Sequence, residues 1–338
     1  PYLRYYIQKN KKKELYLLYN KVLINVYLFM KRNIKIILAL IIIFAIILTA
    51  QENIPNIFAL IRANNTQEVK KLISQEGFDI NIQDANGNTP LMHAILKRNQ
   101  QMVQLIIESK ANVNIKNKNG LTALNYALNS GNNEVAKMLI ENGADIKMKD
   151  INGNDSFMYV AYNNRINLIP LFTNSVNVNS TNNVGRTPLI LASINGNRDM
   201  TQALINLKAD LNIKDKDGNT ALMYSTFNNK IALVNIFITA KADLNIQNNI
   251  GATALIFAAM NGYDRIVRTL IDAKADINIK DYYGNTALMY AAGRGNDKVI
   301  RILNRNGSNI NTQNRVGYTA LFFAAVNGYE QVVQMLIE

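Results

Sequence analysis

The chain has 338 residues and a formal net charge of +13, with one histidine and no cysteine. The lack of cysteine excludes a disulfide framework and thiol chemistry. The lone histidine leaves no His-Glu-x-x-His or clustered metal-ligand spacing. Charge is unevenly placed: residues 1–50 hold nine Lys/Arg against Glu14, a net of +8, and the remainder holds 28 against 23, a net of +5. No basic run follows residue 50, so the pI near 9.6 reflects the N-terminal segment rather than a nucleic-acid footprint.

Residues 1–29 are rich in Lys, Tyr, Leu, Ile and Asn without a pattern that packs, and the chain opens on Pro1, which is not expected to be a native start. They are expected to be upstream sequence translated in error, or disordered. Met30-Lys31-Arg32-Asn33-Ile34-Lys35 then leads into an apolar run from Ile36 to Leu48, followed by Thr49-Ala50-Gln51. A positive start, a short apolar run and a small residue at the cut are the parts of a signal peptide. The run is short for a spanning helix, which needs about 20 apolar residues. The expectation is a signal peptide over 30–50, a mature chain from near Gln51 and a periplasmic or secreted protein. The alternative is an uncleaved inner-membrane anchor using residues 34–50, with the rest outside the cytoplasm. No cysteine follows Ala50, which excludes a lipid anchor there. The A/T-rich codon character and the signal favour a bacterium.

From Asn53 to Ile82 the apolar spacing at Ile57, Leu60 and Ile61, then at Val69, Leu72 and Ile73, predicts two helices. Gln67, Glu68, Lys70 and Lys71 would make the second helix a polar cap. A ruler of eight glycines then begins: Gly87, Gly120, Gly153, Gly185, Gly218, Gly251, Gly284 and Gly317, 33 residues apart except for 32 between Gly153 and Gly185. A fixed period of this size means one supersecondary unit repeated and stacked. Asp or Asn stands three residues before each glycine, from Asp84 to Asn314, where its side chain starts a turn that a left-handed glycine closes. Thr89, Thr122, Thr187, Thr220, Thr253, Thr286 and Thr319 are placed to cap a helix, and Pro90 and Pro188 follow where proline is harmless. A second apolar stretch, such as Met102 to Ile106, predicts a second helix in each unit, and a segment such as Ala209 to Ile213 leads to the next turn.

This order of Asp/Asn-x-x-Gly-x-Thr-(Pro/Ala)-Leu, small pair, second helix and Ala-Asp-Ile-Asn-Ile resembles the ankyrin repeat, in register eight times over roughly residues 53–338. The resemblance implies an all-α solenoid of about nine helix-turn-helix repeats with projecting turns, residues 53–83 being a cap and 84–338 eight repeats. The histidine common in that family after Thr-Pro-Leu is replaced by Met92, Asn125, Met158, Ile190, Met223, Ile256, Met289 and Phe322. Cohesion between repeats is therefore expected to rest on packing, in a looser array. One unit, 150–182, is degenerate: Asp155-Ser156-Phe157 replaces Thr-Pro-Leu, and Pro170 falls in the expected second helix, where it removes a hydrogen bond. It reads either as drift held by its neighbours or as a hinge.

Nothing in the repeats suggests catalysis, and no cofactor or metal is implied. His93 falls in a column otherwise filled by Tyr, Phe or Leu and reads as a packed residue. What remains is a surface. The resemblance places partner binding on the turn tips and first-helix ends, which carry Tyr162, Arg186, Phe227, Met260, Tyr282, Tyr283, Arg294, Arg315 and Tyr318. Aromatic and Arg residues dominate interface energetics, so these are candidates for holding a protein partner, the last three repeats above all; packing on adjacent repeats is the alternative. The expected function is a non-catalytic scaffold, with a membrane-anchored adaptor or the regulatory array of an enzyme domain beyond Glu338 as alternatives. The final stretch Val332 to Ile337 is as apolar as an internal helix, so missing C-terminal sequence or self-association through a bare face is expected.

Overall fold

The computed structural model describes residues 56–172 and 175–338, together with Lys21; the expectations for residues 1–29 and 30–50 lie outside them. Two units are separated, residues 1–60 and 61–338, and the second holds the repeats. It contains helices and turns with no strand among the described residues, the all-α stack that the resemblance implied. No helix of the described residues is long and apolar enough to cross a membrane.

Two helices, Ile57–Arg62 and Thr66–Ile73, precede the first turn. Each glycine of the ruler then introduces a first helix: Pro90–Leu96, Ala123–Ser130, Ser156–Tyr162, Pro188–Ile194, Ala221–Phe227, Ala254–Met260, Ala287–Ala292 and Ala320–Val326. Second helices, such as Gln100–Glu108 and Asp264–Asp272, return antiparallel. At six to nine residues these helices are too short to persist alone, so stacking must hold them. Consecutive first helices pack on one another through the small pairs, as Ala258, Ala259, Ala291 and Ala292 show by their complete burial.

Thr starts seven first helices as foreseen, its hydroxyl accepting the amide three residues on. Asp155 does the same in the degenerate unit, accepting from the Met158 amide at 2.9 Å. That first helix is intact. The damage lies in the second, which is a 3-10 turn, Ile166–Leu171, with Pro170 inside it. Leu168, Ile169 and Phe172 nonetheless stay buried, in the columns that hold Met102, Val103 and Ile106 elsewhere. Backbone bonds cross both borders of the unit, from Ile151 N to Asn119 O and from Asn183 N to Asn152 O. This continuity favours drift over a hinge. Hydrogen exchange should find the Ile151 and Asn183 amides as protected as Lys216 and Tyr282, which make the same bond elsewhere; loss of protection at both would restore the hinge.

Candidate functional site

Every turn has the same internal wiring. The side-chain oxygen of its Asp or Asn accepts two backbone amides, as Asp215 does from Asp217 and Asn219 and Asn248 from Ile250 and Ala252. Backbone bonds then tie tip to tip, for example Asn249 N to Asp217 O, Tyr282 N to Ile250 O and Arg315 N to Tyr283 O. The ruler glycines have positive φ, and a Cβ on Gly251 would lie 2.5 Å from the Tyr282 amide nitrogen. They are needed for conformation and for close approach alike.

The free atoms of Asp and Asn divide the repeats into two kinds that alternate. Where the turn begins with Asp, its second oxygen accepts from a residue of its own first helix: Tyr159 hydroxyl to Asp150 at 2.6 Å, Tyr224 to Asp215 at 2.6 Å and Tyr290 to Asp281 at 2.5 Å. His93 Nε2 meets Asp84 Oδ2 at 2.8 Å in the first such unit. Where the turn begins with Asn, its Nδ2 reaches back to an asparagine of the preceding unit: Asn117 to Asn88, Asn182 to Asn154, Asn248 to Asn219 and Asn314 to Asn285, all at 2.8–2.9 Å. An ionised carboxylate only accepts, whereas an amide also donates, so each residue type suits its role. The units are thereby clamped in pairs. Cohesion is not left to packing, as the missing histidines suggested: a polar ladder supplements the core. Asn248→Asp keeps the shape but exchanges that donor for a buried charge facing the Asn219 carbonyl oxygen. It should cost about 2 kcal/mol in urea denaturation, and an unchanged midpoint would mean that the clamp is idle.

These groups titrate accordingly. Burial raises Tyr290, and its hydrogen bond to Asp281 adds to this, so that it is pushed up to about 12. Tyr159 and Tyr224 rise for the same reasons, burial first, then Asp150 and Asp215. Burial alone would raise Asp84, but hydrogen bonds from His93 and from the Asn88 and Asn86 amides outweigh it and hold that carboxyl below its ordinary value. A tyrosine whose folded pKa exceeds its unfolded value stabilises fully below the unfolded value and loses the contribution as pH rises through the folded one. Stability should therefore fall between pH 10.0 and about 12. Tyr290→Phe should flatten part of that fall, and an identical alkaline profile would contradict the assignment.

Above this ladder the tips and first-helix ends form one face. Phe227 is 53 % exposed, Tyr162 44 % and Tyr283 64 %, with Tyr282 beside it; Arg294 and Arg315 are exposed and Met260 half-buried. Tyr318 stacks on Phe322 with ring centroids 3.8 Å apart and meets Phe323 edge-on at 6.2 Å. Arg186 behaves differently from the expectation of a projecting tip. It turns inward onto the next unit, its guanidinium donating to the Tyr224 hydroxyl at 3.2 Å, lying over that ring and standing 3.7 Å from Asp215. Arg186 thus joins one pair of units to the next while flanking the site.

Three cavities open on this face, each between the two units of a pair. One, about 320 Å³, is lined by Met158, Tyr162, Val184, Arg186 and Leu191 among others. The next, about 160 Å³, lies among Asn219, Met223, Tyr224, Phe227 and Phe257. The third, about 170 Å³, lies among Asn285, Met289, Tyr290, Arg294 and Phe323. Tyr162, Arg186, Phe227 and Arg294 are thus brought to cavities, while Met260, Tyr282, Tyr283, Arg315 and Tyr318 belong to the surrounding face. Sequence reasoning missed the liners Met158, Val184, Leu191, Phe257 and Phe323. Their signal was the change from Tyr to Leu or Phe in alternate units of the His93 column. Among the described residues no three His, Asp or Glu side chains are grouped to hold a metal ion.

In the second unit of the last pair, Phe322 is 38 % exposed although its counterparts from Met92 to Met289 are buried, and Val326 and Ile337 are exposed. The family model described as "Ankyrin repeats (3 copies)" matches residues 57–150, 157–248, 226–314 and 255–338. Comparison with the curated proteins gave no match.

Proposed function

Because the chain belongs to the ankyrin repeat family, we propose that it is a non-catalytic scaffold that holds a protein partner on the face made by its turn tips and first-helix ends. Ankyrin repeats are in general modules of protein–protein interaction. The observation that carries the reading to this face is its exposed aromatic side chains, Tyr162, Phe227, Tyr282, Tyr283 and Tyr318. Large aromatic side chains are the residues on which interfaces most depend. Replacing Tyr282, Tyr283, Arg294 and Tyr318 together by alanine should abolish partner recovery in affinity capture while leaving the helical circular dichroism intact. Unchanged recovery would place the interface elsewhere.

The scaffold works outside the cytoplasm of a bacterium, on this proposal, delivered by the apolar run from Ile36 to Leu48 with its basic start. N-terminal sequencing of the exported protein should read from near Gln51; a sequence that retains residues 34–50 would make it a membrane-anchored adaptor instead.

A further inference from the structure

The three cavities recur at every second repeat, which is a spacing, and a spacing is information about a ligand. Each has the same plan: an asparagine after the ruler glycine, a methionine and tyrosine of the first helix, and a Leu or Phe from the next unit. At ~30 Å³ per water, even the smallest would hold about five waters, the room that one apolar side chain needs. Helices pack 8–10 Å apart, so equivalent points two repeats apart lie roughly 20 Å apart. An extended chain covers about 3.3 Å per residue, so that interval corresponds to about six residues.

Charge on the same face is mainly positive, with Asp217 the exception at the tips. Arg98, Arg165, Lys230 and Arg294 stand just past the first helices of alternate units, and Lys118 and Lys216 at the tips. Arg98 and Arg165 donate to backbone carbonyls, of Ser130 and Leu128. None of these six cations is within ion-pair distance of a carboxylate among the described residues. Asp150, Asp215 and Asp281 are buried beneath the face and occupied by tyrosine. Asp217 is the exposed carboxylate at the tips, and the other exposed acids sit on second helices or the segments after them.

From this combination we propose that the face binds an extended, acidic peptide segment of a partner, with apolar side chains about six residues apart entering successive cavities. The proposal rests on the scaffold reading above and names the chemistry of what it holds. The charge provides attraction and steering; the cavities set the register. A hydrogen-bonded helix would place points 20 Å apart about thirteen residues away from each other, at 1.5 Å per residue, and its bulk would allow only one face to reach the cavities.

The test uses the full chain and fluorescently labelled synthetic peptides of glutamate, serine and glycine carrying three leucines. With the leucines at the predicted spacing, anisotropy should show binding roughly tenfold tighter than for the same composition at half that spacing. Lysine in place of glutamate should abolish binding, and Phe227→Glu should weaken it about tenfold without changing the circular dichroism, since Phe227 is half exposed. Indifference to spacing, to peptide charge or to Phe227→Glu, or absence of binding by every peptide, would overturn the proposal. The scaffold reading would survive any of those results, because its own test is partner recovery by the tip-face variant.

Discussion

Phe172→Ala should lower stability by ~3–5 kcal/mol and shift the urea midpoint more than any surface change. The ring is fully buried and meets Phe157 at 5.7 Å. It sits directly after the 3-10 turn that replaces a second helix, so it anchors a segment with few backbone hydrogen bonds of its own. In an intact unit a second helix would share the loss among its buried neighbours. Here Leu168 and Ile169 are the only other large apolar side chains of that turn at the core. Because repeats are stabilised by their neighbours, the loss should also reach the adjoining units, and exchange should quicken at Asn183 and Ile151. A cost below about 1 kcal/mol would mean that the unit collapses into the gap, which fixed neighbours on both sides oppose.

Gly251→Ala should cost about 2–5 kcal/mol, the sum of ~1–2 for a left-handed alanine and ~1–3 for overpacking. Gly143→Ala isolates the first contribution. Both glycines have positive φ, +80° and +84°. At Gly251 the new carbon would lie 2.5 Å from the Tyr282 nitrogen and 2.9 Å from the Asp281 carbonyl carbon, whereas at Gly143, after a second helix, nothing stands within 4 Å. Gly143→Ala should therefore cost only ~1–2 kcal/mol. Equal losses would show that the ruler glycines serve their own turns alone and not the join between repeats.

The ruler, the threonine caps and the two helices per unit were legible because they depend on residues close along the chain. Even Asp155 followed the local rule: it occupies the threonine column and caps as threonine would. The alternation of Asp and Asn was visible too, yet its meaning was not. It resides in bonds such as Asn117 to Asn88, between residues of neighbouring repeats whose facing is set by the stack. Arg186 failed for a related reason. Register placed it at a tip, but a long side chain goes to the best partner in reach, and Asp215 and Tyr224 come from the following unit. The cavities were illegible outright, since each is a gap between two units rather than a motif within one.

The pairing also bears on function. Backbone bonds make a continuous rail of tips, while asparagine clamps return at every second unit and three of the clamped pairs hold a cavity. A ligand that reads the face therefore meets a coarser ruler than the one in the sequence, and basic residues in alternate units follow the same beat.

The central claim is that the tip face, and no other, receives the partner. Photo-crosslinking decides it most directly, with a photoreactive phenylalanine placed at Phe227 on that face or at Arg268, exposed on a second helix. Irradiated in the cells that produce the protein, the Phe227 position should yield a discrete higher-mass adduct and the Arg268 position none. An adduct from Arg268 with none from Phe227 would contradict the account.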